Sequence, residues 1–212
     1  NGIHGAGEEE IIRAISSFAL FGFPESHSAS FALLAYASSY LKAHHPAVFC
    51  AALLNSQPMG FYSPATLVKD AQRHGVRVRP VDVTASDIRC TVETDMCLRI
   101  GLNYVSGLRS DAAERIVAER SRKSFASVDD LARRARLPKR ALDTLAELGA
   151  LNLLDEKMHR REALWQVEKA WRPRGPLLDE LEDDPEPSPL EPMRPLERLD
   201  ADYRGAGLTT GP

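Results

Sequence analysis

A mainly α fold is predicted by three observations along these 212 residues. Apolar residues recur at helical spacing through most of the first 170 positions. Strand-like alternation is confined to two short stretches, near residues 76–79 and 90–100. Composition then changes after residue 172, where eight of the 14 prolines fall among a run of acidic side chains. The expected order is a helical segment with a short β-hairpin, two successive helix pairs joined by tight turns, one basic helix, and a disordered acidic Pro-rich tail.

Residues 8–21 place Ile11, Ile12, Ile15, Phe18 and Leu20 on a helical period, behind Glu8-Glu9-Glu10, whose charge suits a helix N-terminus. Gly22 and Pro24 punctuate the entry to the next element, and no further Pro or Gly follows until Pro46, so a helix is predicted from Ser26 to His44. Its first turn exposes unpaired backbone N–H groups at the positive end of the helix dipole, beside Ser26, His27 and Ser28, which suits a phosphate. Phe31, Leu34, Ser38 and Leu41 are spaced to face a core. Ser28, Ala32, Tyr36 and Ser39 form a second stripe, against which a flat ligand could lie. Spacing alone favours the plainer reading of serine caps, a surface His27 and a core Tyr36.

Pro46 fits the first position of a third helix, which Gln57-Pro58-Met59-Gly60 ends. Ser63-Pro64 opens a fourth through Arg73, with Gly75 as its expected C-terminal cap. Val76-Arg77-Val78-Arg79 then reads as a strand, and residues 90–100 as a hairpin. From Gly101 the pattern returns to short helices. Val105-Ser106-Gly107-Leu108-Arg109-Ser110 leads into a helix carrying Ala113, Arg115 and Ile116. A glycine in such a turn lets two helices meet closely and aims backbone N–H groups at a phosphate, independently of base sequence. A weaker copy spans residues 128–151, turning at Leu137-Pro138 ahead of Lys139 and Arg140. Between Arg109 and Arg140 stand ten Lys and Arg against five acidic residues, a modest phosphate-binding stripe. Tyr104, Phe125 and Trp165 read as packing residues. Residues 157–172 form one more amphipathic basic helix.

The net charge of −3 conceals a division. Residues 177–212 hold ten Asp and Glu against three Arg, leaving 24 basic and 20 acidic side chains, or +4, on residues 1–176. Cys50, Cys90 and Cys97 are far apart in sequence with no C-x-x-C pair, which supports neither a disulfide framework nor a zinc site and suits a reducing cytosol. No apolar run approaches membrane-spanning length. Asp82, Asp87, Glu93 and Asp95 cluster near the strands but form no convincing pair of metal-binding carboxylates. A Ser/His hydrolase on adjacent Ser26 and His27 is disfavoured, because neighbours at a helix start cannot readily form nucleophile–base–acid geometry and no G-x-S-x-G elbow is present.

The stretch Gly22-Phe23-Pro24-Glu25-Ser26-His27-Ser28 through Tyr36, Lys42, His45 and Pro46 closely resembles the fingers segment of the bacterial C-family DNA polymerases, the family of the replicative DNA polymerase III alpha subunit. Leu54-Asn55-Ser56-Gln57-Pro58-Met59-Gly60-Phe61-Tyr62 is most similar to the error-prone, translesion branch, with the replicative branch as the alternative. The Val105–Val117 stretch resembles a helix-hairpin-helix motif in the place where that family has a tandem copy. Arg109 there replaces a common second glycine.

The resemblance implies four regions: the C-terminal part of the fingers at 1–85, a tandem helix-hairpin-helix domain at 86–155, a basic helix at 156–172, and an acidic linker at 173–212 toward an OB-fold. Palm and thumb would precede Asn1, so this stretch would bind without catalysing, while the parent polymerase would use Mg2+ held elsewhere. Implied nucleotide contacts are Ser26, His27, Ser28, Tyr36, Lys42 and His45. Implied duplex contacts are Ser106, Gly107, Arg109, Ser110, Arg115, Lys139 and Arg140. Expected partners are primer–template DNA, deoxynucleoside triphosphates, a sliding clamp and a Y-family-like adaptor, in a bacterial cytoplasm near the nucleoid. Two other classes stay open: a stand-alone helix-hairpin-helix binder and an interaction scaffold acting through the acidic tail.

Overall fold

Ser63 shows how closely local chemistry sets the elements: its hydroxyl accepts from the Thr66 backbone N–H at 3.3 Å, and the helix begins at the next residue, Pro64. A computed structural model describes residues 4–20, 25–94, 96–155, 158–171 and 188–211. It divides the chain into two compact units, Asn1–His44 and His45–Pro212.

The first unit holds α1 (Ala6–Leu20) and α2 (Glu25–His44). The second holds α3 (Pro46–Asn55), α4 (Pro64–Arg73), β1 (Arg77–Arg79), β2 (Thr91–Thr94), β3 (Cys97–Arg99), α5 (Ser110–Arg122), α6 (Val128–Ala135), α7 (Lys139–Glu147), α8 (Arg160–Trp171) and α9 (Pro195–Ala206). The mainly helical fold and the short hairpin are as the sequence predicts. The expected Gly75 terminus is also present, with φ +84°. Sequence alone did not pair β1, which lies parallel to β3 in the order β1-β3-β2. A register shift between Val92 and Thr94 interrupts the antiparallel β2–β3 ladder.

Two groups of apolar side chains merge into the core of the second unit. Leu54, Val68, Val83, Leu98, Ile100 and Leu102 gather around the sheet, all at 1% exposure or less. Ile116, Leu131, Leu142, Leu145, Leu151 and Val167 gather around α7 and are fully buried. Each contributes roughly 1.5–3 kcal/mol from leaving water, before conformational entropy is deducted. Tyr104 and Phe125 pack as expected: the Tyr104 hydroxyl donates to the Leu54 carbonyl at 2.8 Å, and Phe125 is buried beneath the Arg134 guanidinium, 4.7 Å from its ring centre. Trp165 is half-buried on α8.

Two expectations are corrected. Phe31, Leu34 and Leu41 are 58%, 62% and 44% exposed, so the α2 stripe does not face a core within its unit. Leu33, Tyr36 and Tyr40 are exposed as well, which distributes apolar residues around α2 rather than along one face. The disordered tail is also overturned in part, since residues 188–211 fold onto the second unit. Pro195 starts α9, and the Glu197 carboxylate accepts from the Arg194 backbone N–H at 2.7 Å. Ala201 and Leu208 are buried. Asp202 joins Arg160 of α8 at 2.8 Å and accepts from the Thr209 hydroxyl at 2.7 Å. Enough apolar and paired surface therefore survives among the prolines to offset ordering. Residues 172–187 lie outside the described residues, as do the side chain of Ser26 and the whole of Asp95.

Candidate nucleic-acid interface

Two turns in the second unit are built alike. Gly107 has φ +75°, Leu108 follows, Arg109 is extended at φ −72° and ψ 151°, and α5 begins at Ser110. Arg136 has φ +50°, Leu137 follows, Pro138 is extended at φ −70° and ψ 152°, and α7 begins at Lys139. In each, a left-handed residue reverses the chain, a leucine points inward, and an extended residue receives the first helical hydrogen bonds. Ala112 and Ala113 donate to the Arg109 carbonyl, as Ala141 and Leu142 donate to that of Pro138. Neither helix start has a side-chain cap, unlike Ser63 on α4 and Ser127 on α6. The first-turn N–H groups of α5 and α7 thus keep donors for an outside acceptor.

Both turns border one open cleft of about 730 Å³, lined by Arg109, Arg133, Arg136 and Arg140, with Gly107, Pro138 and Trp171 among its other walls. Arg136 and Arg140 form no ion pair among the described residues. Arg109 pairs with Asp111 at 3.0 Å and Arg133 with Asp130 at 3.4 Å, yet both arginines are more than 70% exposed and their pairs are weak. The Asp111 carboxyl is held below the usual carboxylate range first by its hydrogen bond from Arg115, with the Arg109 charge as a lesser influence.

Placement differs among the predicted DNA contacts. Gly107, Arg109 and Arg140 line the cleft, and Ser110 opens α5 beside it. Arg109 has ordinary negative φ, so the position needs no glycine; the left-handed residue is Gly107. The Ser106 backbone N–H is already given to the Gly205 carbonyl at 2.7 Å. Arg115 braces α5 against α6, its Nε donating to the Ala135 carbonyl at 2.8 Å while Nη1 holds Asp111. Lys139 reaches Glu168 at 2.8 Å and Asp143 at 3.5 Å, and the Glu168 hydrogen bond holds its ammonium above the usual lysine range. Sequence reasoning passed over Arg133, Arg136 and Trp171. The weak copy of the turn carried the only signal: its basic residues extend one helical turn before Leu137.

The predicted nucleotide contacts fall on α2 and just after it. His27 and Ser28 share the exposed first turn with the backbone of Ser26, and the His27 ring meets Phe31 edge-on at 4.5 Å. Tyr36 is 72% exposed. Lys42 lies fifteen residues beyond His27, about 22 Å along the helix axis, and His45 precedes α3. Residues at the two ends of α2 therefore cannot grip one phosphate. Of the acidic residues near the sheet, Asp82 and Glu93 hold Arg99: this buried residue lies 3.6 Å from Asp82, and its Nε donates to Glu93. Among the described residues, no group of three or more His, Cys, Asp or Glu could hold a metal ion, and no helix is long and apolar enough to cross a membrane.

Two matching turns that bring helix starts and arginines to one cleft define a tandem helix-hairpin-helix module. Residues 75–163 match the family described as helix-hairpin-helix motif. Along nearly its whole length the chain is also similar to error-prone DNA polymerases. It is 49% identical over 96% of its residues to that of Alkalilimnicola ehrlichii, of which it covers 20%. The figures are the same for that of Bordetella parapertussis, and 47% over 99% for that of Rhodopirellula baltica, of which it covers 19%. The chain spans about one fifth of the length of these relatives.

Proposed function

We propose that the second unit grips duplex DNA through its phosphates, independently of base sequence, within a longer protein that synthesises DNA across damaged templates. The observation carrying this reading is the convergence of two alike turns, each with an uncapped helix start, on a cleft lined by Arg109, Arg133, Arg136 and Arg140. Backbone N–H groups and arginines supply phosphate contacts without reading base edges. A strand could thus slide through unchanged in register cost, as a polymerase requires. The similarity to error-prone DNA polymerases supports the error-prone branch over the replicative one.

In this reading the parent polymerase joins deoxynucleoside triphosphates to a primer end using Mg2+ held by residues outside this stretch. The start of α2, with Ser26, His27 and Ser28, orients the incoming triphosphate, and Tyr36 lies toward the nascent base pair. Lys42 and His45 act further along the same strand. A sliding clamp and a Y-family-like adaptor are the proposed protein partners, in the bacterial cytoplasm.

The test is fluorescence anisotropy of a labelled primer–template duplex across a salt series. With Arg109, Arg136 and Arg140 changed to Ala, the slope of log affinity against log salt should fall by roughly 3. An unchanged slope would remove the cleft as the phosphate grip. His27→Ala in the complete polymerase should raise the nucleotide KM or lower kcat with duplex affinity kept; unaltered kinetics would exclude the α2 assignment.

A further inference from the structure

Trp171 is one of two tryptophans in the chain, and it is the one left exposed, at 50%. It ends α8, outside the two turns, yet lines the same cleft as Arg109, Arg133, Arg136 and Arg140. Trp165, earlier on the same helix, is half-buried. By contrast, Phe125 and Tyr104 have structural work: Phe125 lies under Arg134, and the Tyr104 hydroxyl is bonded to the Leu54 carbonyl. Trp171 makes no ring contact among the described residues. A large indole beside unpaired guanidinium groups matches a planar group carried next to negative charge, and nucleobases on a phosphate backbone have that chemistry.

We propose that Trp171 is a stacking platform for an unpaired base, so that the cleft holds a duplex at the point where one strand runs on alone. This rests on the phosphate-binding reading of the cleft and deepens it. Inside a duplex both faces of a base are covered by its neighbours, so only a terminal or single-stranded base can offer a face to the indole. The arginines hold either kind of DNA by charge; the indole distinguishes them. Stacking on one aromatic side chain favours the overhang by about tenfold.

The presence of only two tryptophans makes the test direct. In the Trp165→Phe chain, Trp171 is the sole indole, and its emission is followed against a blunt duplex and against a duplex of equal phosphate number ending in a thymine overhang. Anisotropy of the same labelled DNAs reports binding separately. Expected are quenching by the overhang beyond that by the blunt duplex, about tenfold tighter binding of the overhang, loss of that preference in Trp171→Ala, and its retention in Trp171→Phe. Circular dichroism identifies any variant that has unfolded, for which Trp171→Phe carries the comparison. Binding of both DNAs with equal affinity and equal quenching would overturn the stacking role while leaving the phosphate grip intact. Absence of binding to either would overturn both.

Discussion

Gly107 and Arg136 occupy the same place in two successive turns, each with left-handed φ three residues before a helix start. For glycine that conformation is free. For arginine it costs about 1–2 kcal/mol, which a purely structural turn would avoid. Its side chain is exposed on the cleft. Arg136→Gly should therefore raise stability by about 1 kcal/mol in urea unfolding and lower the salt slope of DNA binding by about 1. The reverse change, Gly107→Ala, meets open space but keeps the positive φ, so it should cost about 1 kcal/mol. Stability changes of the same sign at both positions would show that the two turns are not equivalent.

A different cost is expected at Gly205. Its carbonyl accepts the Ser106 N–H, and an added Cβ would stand 2.8 Å from Leu148 Cγ and Cδ2. Leu148 is buried and has little room to withdraw. Gly205→Ala should destabilise by about 1–3 kcal/mol, and because α9 supports the turn through Ser106, duplex affinity should fall with stability. Thermal unfolding and anisotropy on one preparation check both.

The largely buried Arg160–Asp202 pair fastens the same helix, with side chains 14% and 12% exposed. Asp202→Ala would leave the guanidinium without its carboxylate and the Thr209 hydroxyl without its acceptor. A loss of about 3–5 kcal/mol is expected. A double-mutant cycle with Arg160→Met should recover much of it, since removing both partners leaves no orphaned charge. A double-variant loss equal to the sum of the two single losses would mean that the pair has no coupling of its own.

These contacts also show what the sequence made legible. Helices announce themselves through local signals, so Ser63-Pro64 and the glycine at 75 located α4 without any tertiary information. The turn at Gly107 was legible for the same reason. Arg136 was not, because a left-handed arginine leaves no trace in composition. Nor was the role of Arg115: its basic charge suggested DNA, whereas the fold turns it toward the Ala135 carbonyl twenty residues away. The α9 strap was hidden by prolines and acids, since its anchors Arg160 and Leu148 are distant in the chain. Charge in a sequence counts cations; only the fold decides which are already engaged.

Glu93 gives a pH prediction. The Arg99 hydrogen bond, aided by Arg99 and Arg79 charges, holds its carboxyl below the usual glutamate range. A carboxyl depressed in the folded state binds its proton more readily when unfolded, so its contribution is complete above the unfolded value near 4.3 and is lost as pH falls through the folded one. Stability measured by urea unfolding should thus decline from about pH 5 to pH 3. Glu93→Gln should be less stable at pH 7 and should decline less over that range. A parallel decline in both proteins would assign the acid sensitivity to other carboxylates, of which Asp130, held low by the Ala126 N–H and then by Arg134, is the next to replace.

Arg115 separates bracing from binding. Its guanidinium is divided between the Ala135 carbonyl and Asp111, and its side chain is only 32% exposed. Arg115→Ala leaves the last carbonyl of α6 without that donor, immediately before the left-handed Arg136. It should cost about 1–3 kcal/mol in unfolding while changing the salt slope by well under the roughly 1 expected for Arg140→Ala. The two variants remove the same formal charge from the same basic stretch. If both lowered the slope equally, net charge would govern binding; if only Arg140→Ala did, the grip depends on which guanidinium groups the fold leaves open to the cleft.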